Sequence, residues 1–132
     1  TVIRKAHFNA AHRLYNKSWT MEKNDEIFGK CNNPNYHGHN YDIEAHVTGP
    51  IDPETGFVVD VKILKDILKQ AVHDRFDYKN LNEDCKEFFD VNPTAENIAI
   101  VIYNLVKAKI DPKFQLKIRL YETNNNFVEV SE

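Results

Sequence analysis

Two stretches of strict alternation constrain what this chain can fold into. In residues 2–14 the even positions are Val2, Arg4, Ala6, Phe8, Ala10, His12 and Leu14, an apolar face apart from Arg4 and His12. In residues 39–48, His39, Tyr41, Ile43, Ala45 and Val47 share one face, and Asn40, Asp42, Glu44, His46 and Thr48 share the other. A period of two is that of a β-strand with one face buried. A long loop joins these strands, and Gly49-Pro50 ends the second. Asp60 reads as an N-cap. Leu64, Ile67, Leu68, Ala71 and Val72 follow at helical spacing, which predicts a helix near 61–75. Thr94, preceded by Pro93, caps a second helix near 95–109. Its stripe is Ile98, Val101, Ile102, Leu105 and Val106, and Asp111-Pro112 stops it. Leu116, Ile118 and Leu120 then alternate with Lys117, Arg119 and Tyr121. Asn124, Asn125 and Asn126 supply turn chemistry, and 127–130 is a short last strand. The order ββααββ predicts an α+β domain, an antiparallel sheet packed against two helices.

The 132 residues fit one domain, 1–132. The hydrophobic fraction is 42%, with eight Phe and six Tyr, enough for a modest core. A domain this small leaves much surface exposed, and association with further copies is a natural way to cover it. The net charge is −3 and no basic block stands out, which argues against nucleic acid as a partner. No apolar run approaches the ~20 residues that span a membrane. Residues 1–5 carry no apolar leader segment, so a cytoplasmic protein is expected. Cys31 and Cys85 do not make a disulfide framework.

The segment Cys31-Asn32-Asn33-Pro34-Asn35-Tyr36-His37-Gly38-His39-Asn40 carries the chemistry. In extended backbone His37 and His39 point to one side, with Gly38 leaving room between them. His12 and His39 each stand on the apolar face of a strand, where a buried imidazole needs a partner. His7 and His46 fall on polar faces, where solvation explains them. His73 lies near the end of the first helix, where a cation suits the dipole. Three neutral imidazoles with an open fourth position make a catalytic zinc site, so His12, His37 and His39 are the expected ligands of Zn2+. Cys31 fits either a fourth ligand that closes the site or a free thiolate acting as a base. Cys85, in a polar stretch, reads as an incidental thiol.

Glu122 continues the face of Leu116, Ile118 and Leu120, where a carboxylate is costly unless paired. It fits an anchor for a ligand with paired N–H donors, as arginine offers them. It equally fits a fraying strand end in water.

Together these residues resemble the 6-pyruvoyl tetrahydropterin synthases and the related bacterial 6-carboxytetrahydropterin synthases of queuosine biosynthesis. The resemblance runs through Phe8-Asn9-Ala10-Ala11-His12-Arg13-Leu14, Phe28-Gly29-Lys30-Cys31-Asn32-Asn33-Pro34-Asn35 and His37-Gly38-His39-Asn40-Tyr41. It continues through Ile51-Asp52-Pro53-Glu54-Thr55-Gly56, Lys79-Asn80-Leu81, Pro93-Thr94-Ala95-Glu96-Asn97 and Tyr121-Glu122-Thr123. It implies the T-fold, whose sheets join into a barrel as trimers that pair as hexamers, with active sites between subunits. It implies zinc on His12, His37 and His39, with Cys31 as the catalytic base and not a ligand. It implies Glu122 as the pterin anchor, with Thr94 and Glu96 close to the substrate, 7,8-dihydroneopterin triphosphate. The family pattern Leu-Asp-His-Lys-Asn-Leu reads here Phe76-Asp77-Tyr78-Lys79-Asn80-Leu81. The carboxylate of the family's Cys-Asp-His relay is therefore kept as Asp77, and its imidazole is replaced by Tyr78, a phenol of reference pKa ~10. Ala95 also stands where a hydroxyl residue is common.

The implied reaction is removal of a side-chain proton by the Cys31 thiolate and elimination of triphosphate. A bound zinc would supply Lewis-acid stabilisation of the developing charge. In the pyruvoyl branch internal redox leaves a two-carbonyl side chain; in the carboxy branch C–C cleavage releases acetaldehyde. The longer spacing from Cys31 to His37 resembles the pyruvoyl branch. The alternatives are a carboxy-branch enzyme and a zinc-stabilised T-fold protein that binds pterin but turns it over poorly. Arg13, Lys30 and Lys79 lie near the motifs as cations for the triphosphate, or as solvated surface charges.

Overall fold

The computed structural model describes residues 1–132. Its frame is a five-stranded sheet. Strand β1 (Val2–His12) pairs antiparallel with β2 (His37–Thr48), from Val2 opposite Val47 to His12 opposite His37. On its other side β2 pairs antiparallel with β4 (Gln115–Tyr121), and β4 with β5 (Phe127–Ser131). A two-residue strand, β3 (Lys79–Asn80), lies parallel to β1 at its outer edge, so the order is β3-β1-β2-β4-β5.

The alternation in the sequence is the alternation of the sheet. Phe8, Ala10, Tyr41, Ile43, Ala45, Val47, Leu116, Ile118 and Leu120 are all buried on one face. Helices α2 (Val61–Leu68) and α5 (Ala95–Lys107) supply Leu64, Leu68, Ile98, Ile102 and Val106 to the same core. Asp60 and Thr94 cap them as expected, each side chain accepting a backbone N–H. After α2 the chain runs through a π-helical turn, Lys69–His73, and one more α turn, α3 (Asp74–Phe76).

The long loop expected between the first two strands contains a helix, α1 (Met21–Phe28). It has no apolar stripe because polar groups hold it. Asn24, its one buried residue, donates through Nδ2 to Asn16 O (3.0 Å) and Thr20 O (3.1 Å) and accepts from Asn16 N through Oδ1 (2.7 Å). Gly29, at φ +55°, turns the chain out of α1.

Strand β1 stops at His12, two residues short of the alternation, because its ladder partner changes. The Asn82 side chain, from the short helix α4 (Leu81–Asp84), clamps both the N–H (2.8 Å) and the carbonyl (2.9 Å) of Arg13. Leu14 N–H donates to Cys31 O (2.8 Å). Cys85 is 4% exposed and packs in the core with Leu81 and Phe88, so it is a core thiol and not a surface one. Just past the end of β2, a Cβ on Gly49 would lie 2.6 Å from the Phe114 ring, so any side chain there would force that ring to shift.

Candidate metal centre and adjoining cleft

The β1–β2 register puts His12 opposite His37 and Ala10 opposite His39. The three imidazoles therefore meet at one end of the sheet, and each offers a nitrogen within 4.8 Å of the others. Their ring centroids lie 4.4 Å (His12–His37), 5.0 Å (His12–His39) and 5.0 Å (His37–His39) apart.

The donors fit a metal ion. His37 Nδ1 and His39 Nε2 are buried without a hydrogen-bond partner. An orphaned buried polar atom costs about 1–3 kcal/mol, and coordination removes that cost. His12 Nδ1–H donates to Pro93 O at 2.8 Å, which fixes the tautomer and leaves the Nε2 lone pair as the ligand atom, with only the Tyr41 hydroxyl near it, at 3.5 Å. The Tyr41 hydroxyl stands 3.2 Å from the same Nδ1. Burial, opposed by the Pro93 hydrogen bond and assisted by His37 and His39, pushes His12 down to about 4. His37 is lowered as well, first by burial and then by His39, with Glu122 opposing. Neutral imidazole is the ligand form. An added Cβ at Gly38 would make only an ordinary contact, 3.6 Å to Ala10 O, so the chain's own fold does not need glycine there.

Cys31 is half-buried and lies outside the set of converging nitrogen donors, which favours a free thiol over a closed four-ligand site. It is nevertheless close. The Tyr41 hydroxyl is held well above its usual range by burial first, then by Glu122, then by Cys31. Glu122 is half-buried just beyond β4, its N–H donating to Asn126 O (3.2 Å), and is not a frayed end in water. It lines a cleft of about 470 Å³ with Leu14, Thr94, Glu96, Asn126 and Phe127. The structure thus brings together Glu122, Thr94 and Glu96. The Thr94 hydroxyl is engaged by Asn97 N–H at 3.2 Å, and Glu96 is exposed.

Asp77 and Tyr78 stand elsewhere, on the β3 side of β1, with no hydrogen bond to Cys31 of the same chain. Asp77 Oδ1 accepts Asn9 N–H (2.9 Å), and its Oδ2 lies 3.3 Å from His73 Nε2. His73 Nδ1 donates to His7 O at 3.0 Å. Tyr78, at φ +57°, is 87% exposed, and its phenol touches no partner. The imidazole beside Asp77 is therefore His73, one helical turn earlier. Its spacing of four residues on a helix was the available signal. His46 also has a partner rather than solvent: its Nε2 lies 2.8 Å from Glu44 Oε1, and its side chain is 12% exposed.

The sheet backed by helices is the T-fold of pterin-synthase structures, and the three histidines at its end could hold a metal ion beside an acid-lined cleft. Residues 1–132 match the family model for 6-pyruvoyl tetrahydropterin synthase. The chain belongs to the 6-pyruvoyl tetrahydropterin synthase family. It is 43% identical over 127 residues to the human 6-pyruvoyl tetrahydrobiopterin synthase, covering 96% of this chain and 88% of that one. It is 33% identical over 146 residues to the 6-carboxy-5,6,7,8-tetrahydropterin synthase of Rickettsia bellii, covering 96% of each. The solved Caenorhabditis elegans 6-pyruvoyl tetrahydropterin synthase superposes with a TM-score of 0.93 at 34% identity, covering 99% of this chain and 94% of that one.

About one metal ion per chain is expected in the purified protein. A His12→Ala/His37→Ala double variant is expected to lose it, as read by elemental analysis; full occupancy in that variant would overturn the assignment. The depressed His12 adds a pH dependence. In the folded metal-free chain His12 stays neutral down to about 4, whereas its unfolded counterpart protonates below 6.5. Stability of the metal-free protein should therefore be full above the unfolded value and fall as pH drops from one value to the other, by up to ~3 kcal/mol. Urea titrations across that window, compared with His12→Gln, measure the slope.

Proposed function

We propose that the protein is a zinc-dependent tetrahydropterin synthase that converts 7,8-dihydroneopterin triphosphate to 6-pyruvoyl tetrahydropterin with elimination of triphosphate. The observation that carries this reading is the convergence of one nitrogen each from His12, His37 and His39 within 4.8 Å of one another, with Glu122 on the wall of the adjoining cleft. Zinc, held by His12, His37 and His39, would supply Lewis-acid stabilisation of the charge that develops on the substrate side chain. Glu122 presents two oxygens to the guanidine-like edge of the pterin, with Thr94 and Glu96 on the adjoining wall. Cys31, as thiolate, takes the side-chain proton. The higher identity to the human 6-pyruvoyl tetrahydrobiopterin synthase than to the Rickettsia carboxy enzyme, 43% against 33%, supports the pyruvoyl product.

Asp77 handles protons together with His73 rather than with Tyr78, because His73 is the imidazole that it touches. The pair completes the site from a neighbouring copy in a trimer or hexamer. Half-exposed Ile3, Phe57, Ile63 and Phe127 give such an assembly apolar surface to cover. Two free thiols suit a reducing cytoplasm.

Cys31→Ala is expected to keep its zinc and to lose about 10²–10⁴-fold in turnover. Glu122→Gln is expected to keep the fold and to weaken pterin binding by about tenfold or more, because one acceptor becomes a donor facing N–H groups. Product analysis with dihydroneopterin triphosphate decides the branch: acetaldehyde release would sink the pyruvoyl assignment. The pH–rate profile decides the relay. Tyr78→Phe should leave the profile in place, and His73→Ala should move its rise toward the free-thiol range near ~8.5. A shift in the tyrosine variant alone would return the role to Tyr78.

A further inference from the structure

One carbonyl orients the His12 imidazole, and several contacts converge on the turn that carries it. Pro93 is buried, and its O accepts His12 Nδ1–H at 2.8 Å. The proline ring fixes φ at about −65°, so the direction of this carbonyl is set by the peptide planes on either side of Pro93. The plane before it is held at Asn92 O, which accepts two donors, Thr94 N–H (2.8 Å) and Asn97 Nδ2 (2.9 Å). Asn92 is also held through its side chain, whose Oδ1 accepts Tyr15 N–H at 3.3 Å. Tyr15 lies just beyond His12, so the turn grips the segment that carries the imidazole as well as the ring itself. On the other side of Pro93, Thr94 caps α5, its hydroxyl accepting Asn97 N–H at 3.2 Å.

Asn97 stands at the third position of α5. A side chain there that served the helix start alone would reach back and accept the N–H of the cap residue, as Glu or Gln does in a capping box. In this chain the Thr94 N–H is already taken by Asn92 O, and the Asn97 amide donates to that same carbonyl instead. Donation to a carbonyl ahead of the cap adds nothing to the helix ladder; it fixes the turn. Both lone pairs of Asn92 O are thereby engaged, and the peptide leading into Pro93 cannot rotate without breaking both bonds. Half-buried Asn97 thus joins two features. Its backbone N–H holds Thr94 on the cleft wall, and its side chain holds the turn behind His12.

We propose that Asn97 is a positioning residue of the metal centre. By holding the Asn92–Pro93 turn it aims the Pro93 carbonyl at His12 Nδ1, and so keeps Nε2 turned toward His37 and His39. It acts only through Pro93. The inference rests on the metal reading of the three histidines for its consequence, and on the hydrogen bonds alone for its geometry.

The test uses the full chain and two measurements: zinc affinity by competition with a chelator, and solvent exchange of the His12 Nδ1 proton by NMR, with and without zinc. Asn97→Asp separates the roles. A carboxylate at this position suits the helix N-terminus, so α5 is kept, but it has no N–H to give Asn92 O. It should lower zinc affinity about tenfold, the low end of what loss of an outer-shell partner does. It should also speed exchange of the His12 Nδ1 proton, with the thermal midpoint little changed. Asn97→Gln, which keeps the donor, should recover part of both. Ile102→Val, a small cavity in the same helix, should lower thermal stability and leave zinc affinity and proton exchange in place. Parent-like affinity and exchange in Asn97→Asp overturn the inference. So does an equal loss of affinity in Ile102→Val, which would make general loosening of α5 the cause. Should the aspartate variant not fold, the parent decides: the Asn97 side-chain amide protons must be protected from solvent exchange, and exchange at the rate of a free amide refutes the role. If the parent binds no zinc, the metal reading fails and the His12 proton of the metal-free chain still decides. Faster exchange in Asn97→Asp then upholds the positioning role, and unchanged exchange overturns it.

Discussion

The register of the β1–β2 ladder is the constraint on which the site depends. With His12 opposite His37 and Ala10 opposite His39, the three rings meet on the buried face of the sheet. A slip of one residue would turn His12 to the open face and expose Phe8 and Ala10 with it. The apolar face of the two strands therefore stabilises the alignment that assembles the polar centre. Sites commonly sit at the end of a strand for this reason: the ladder supplies the precision, and the last rungs carry the chemistry.

Around this centre the electrostatics follow from burial. His12 and His37 are held toward the neutral form by desolvation and by the neighbouring imidazoles, and a carbonyl from the turn before α5 decides which His12 nitrogen faces inward. Glu122 is close enough to act on His37 and on Tyr41, so the metal centre and the cleft wall share one field. The opposite face of the sheet solves its problem differently, with Arg119 paired to Glu44 and Glu129 and His46 hydrogen-bonded to Glu44.

The parts of the fold that bury apolar side chains at a regular period were legible in the sequence, and those held by polar groups were not. The four long strands, the helices at Asp60 and Thr94 and the facing of His12 and His39 follow from periodicity and capping. Helix α1 escaped because Asn24, not a greasy stripe, pins it. The early end of β1 escaped because Asn82 imitates a strand partner, which no spacing rule announces. Cys85 belongs to the series Leu81, Cys85, Phe88, whose helical spacing was hidden inside a charged stretch. The His73–Asp77 pair was within reach through its separation, but a residue that caps a helix dipole and one that grips a carboxylate look alike until the strand beside them is placed. The link from His12 to Pro93 carried no sequence signal at all.

That last link has a consequence for the order in which the molecule takes shape. His12 and Pro93 are 81 residues apart in the chain. His37 and His39 are near neighbours and His12 joins them through the β1–β2 ladder, but the His12 ring is oriented only after the turn before α5 has docked against it. Contacts of such long range are costly in loop entropy and form late. A growing or unfolded chain therefore presents at most a weak pair of ligands, and the complete donor set is a property of the finished domain. An ion held by these histidines would therefore act as a checkpoint on folding: chains that have closed would retain it, and its binding energy would add to the stability of the closed state.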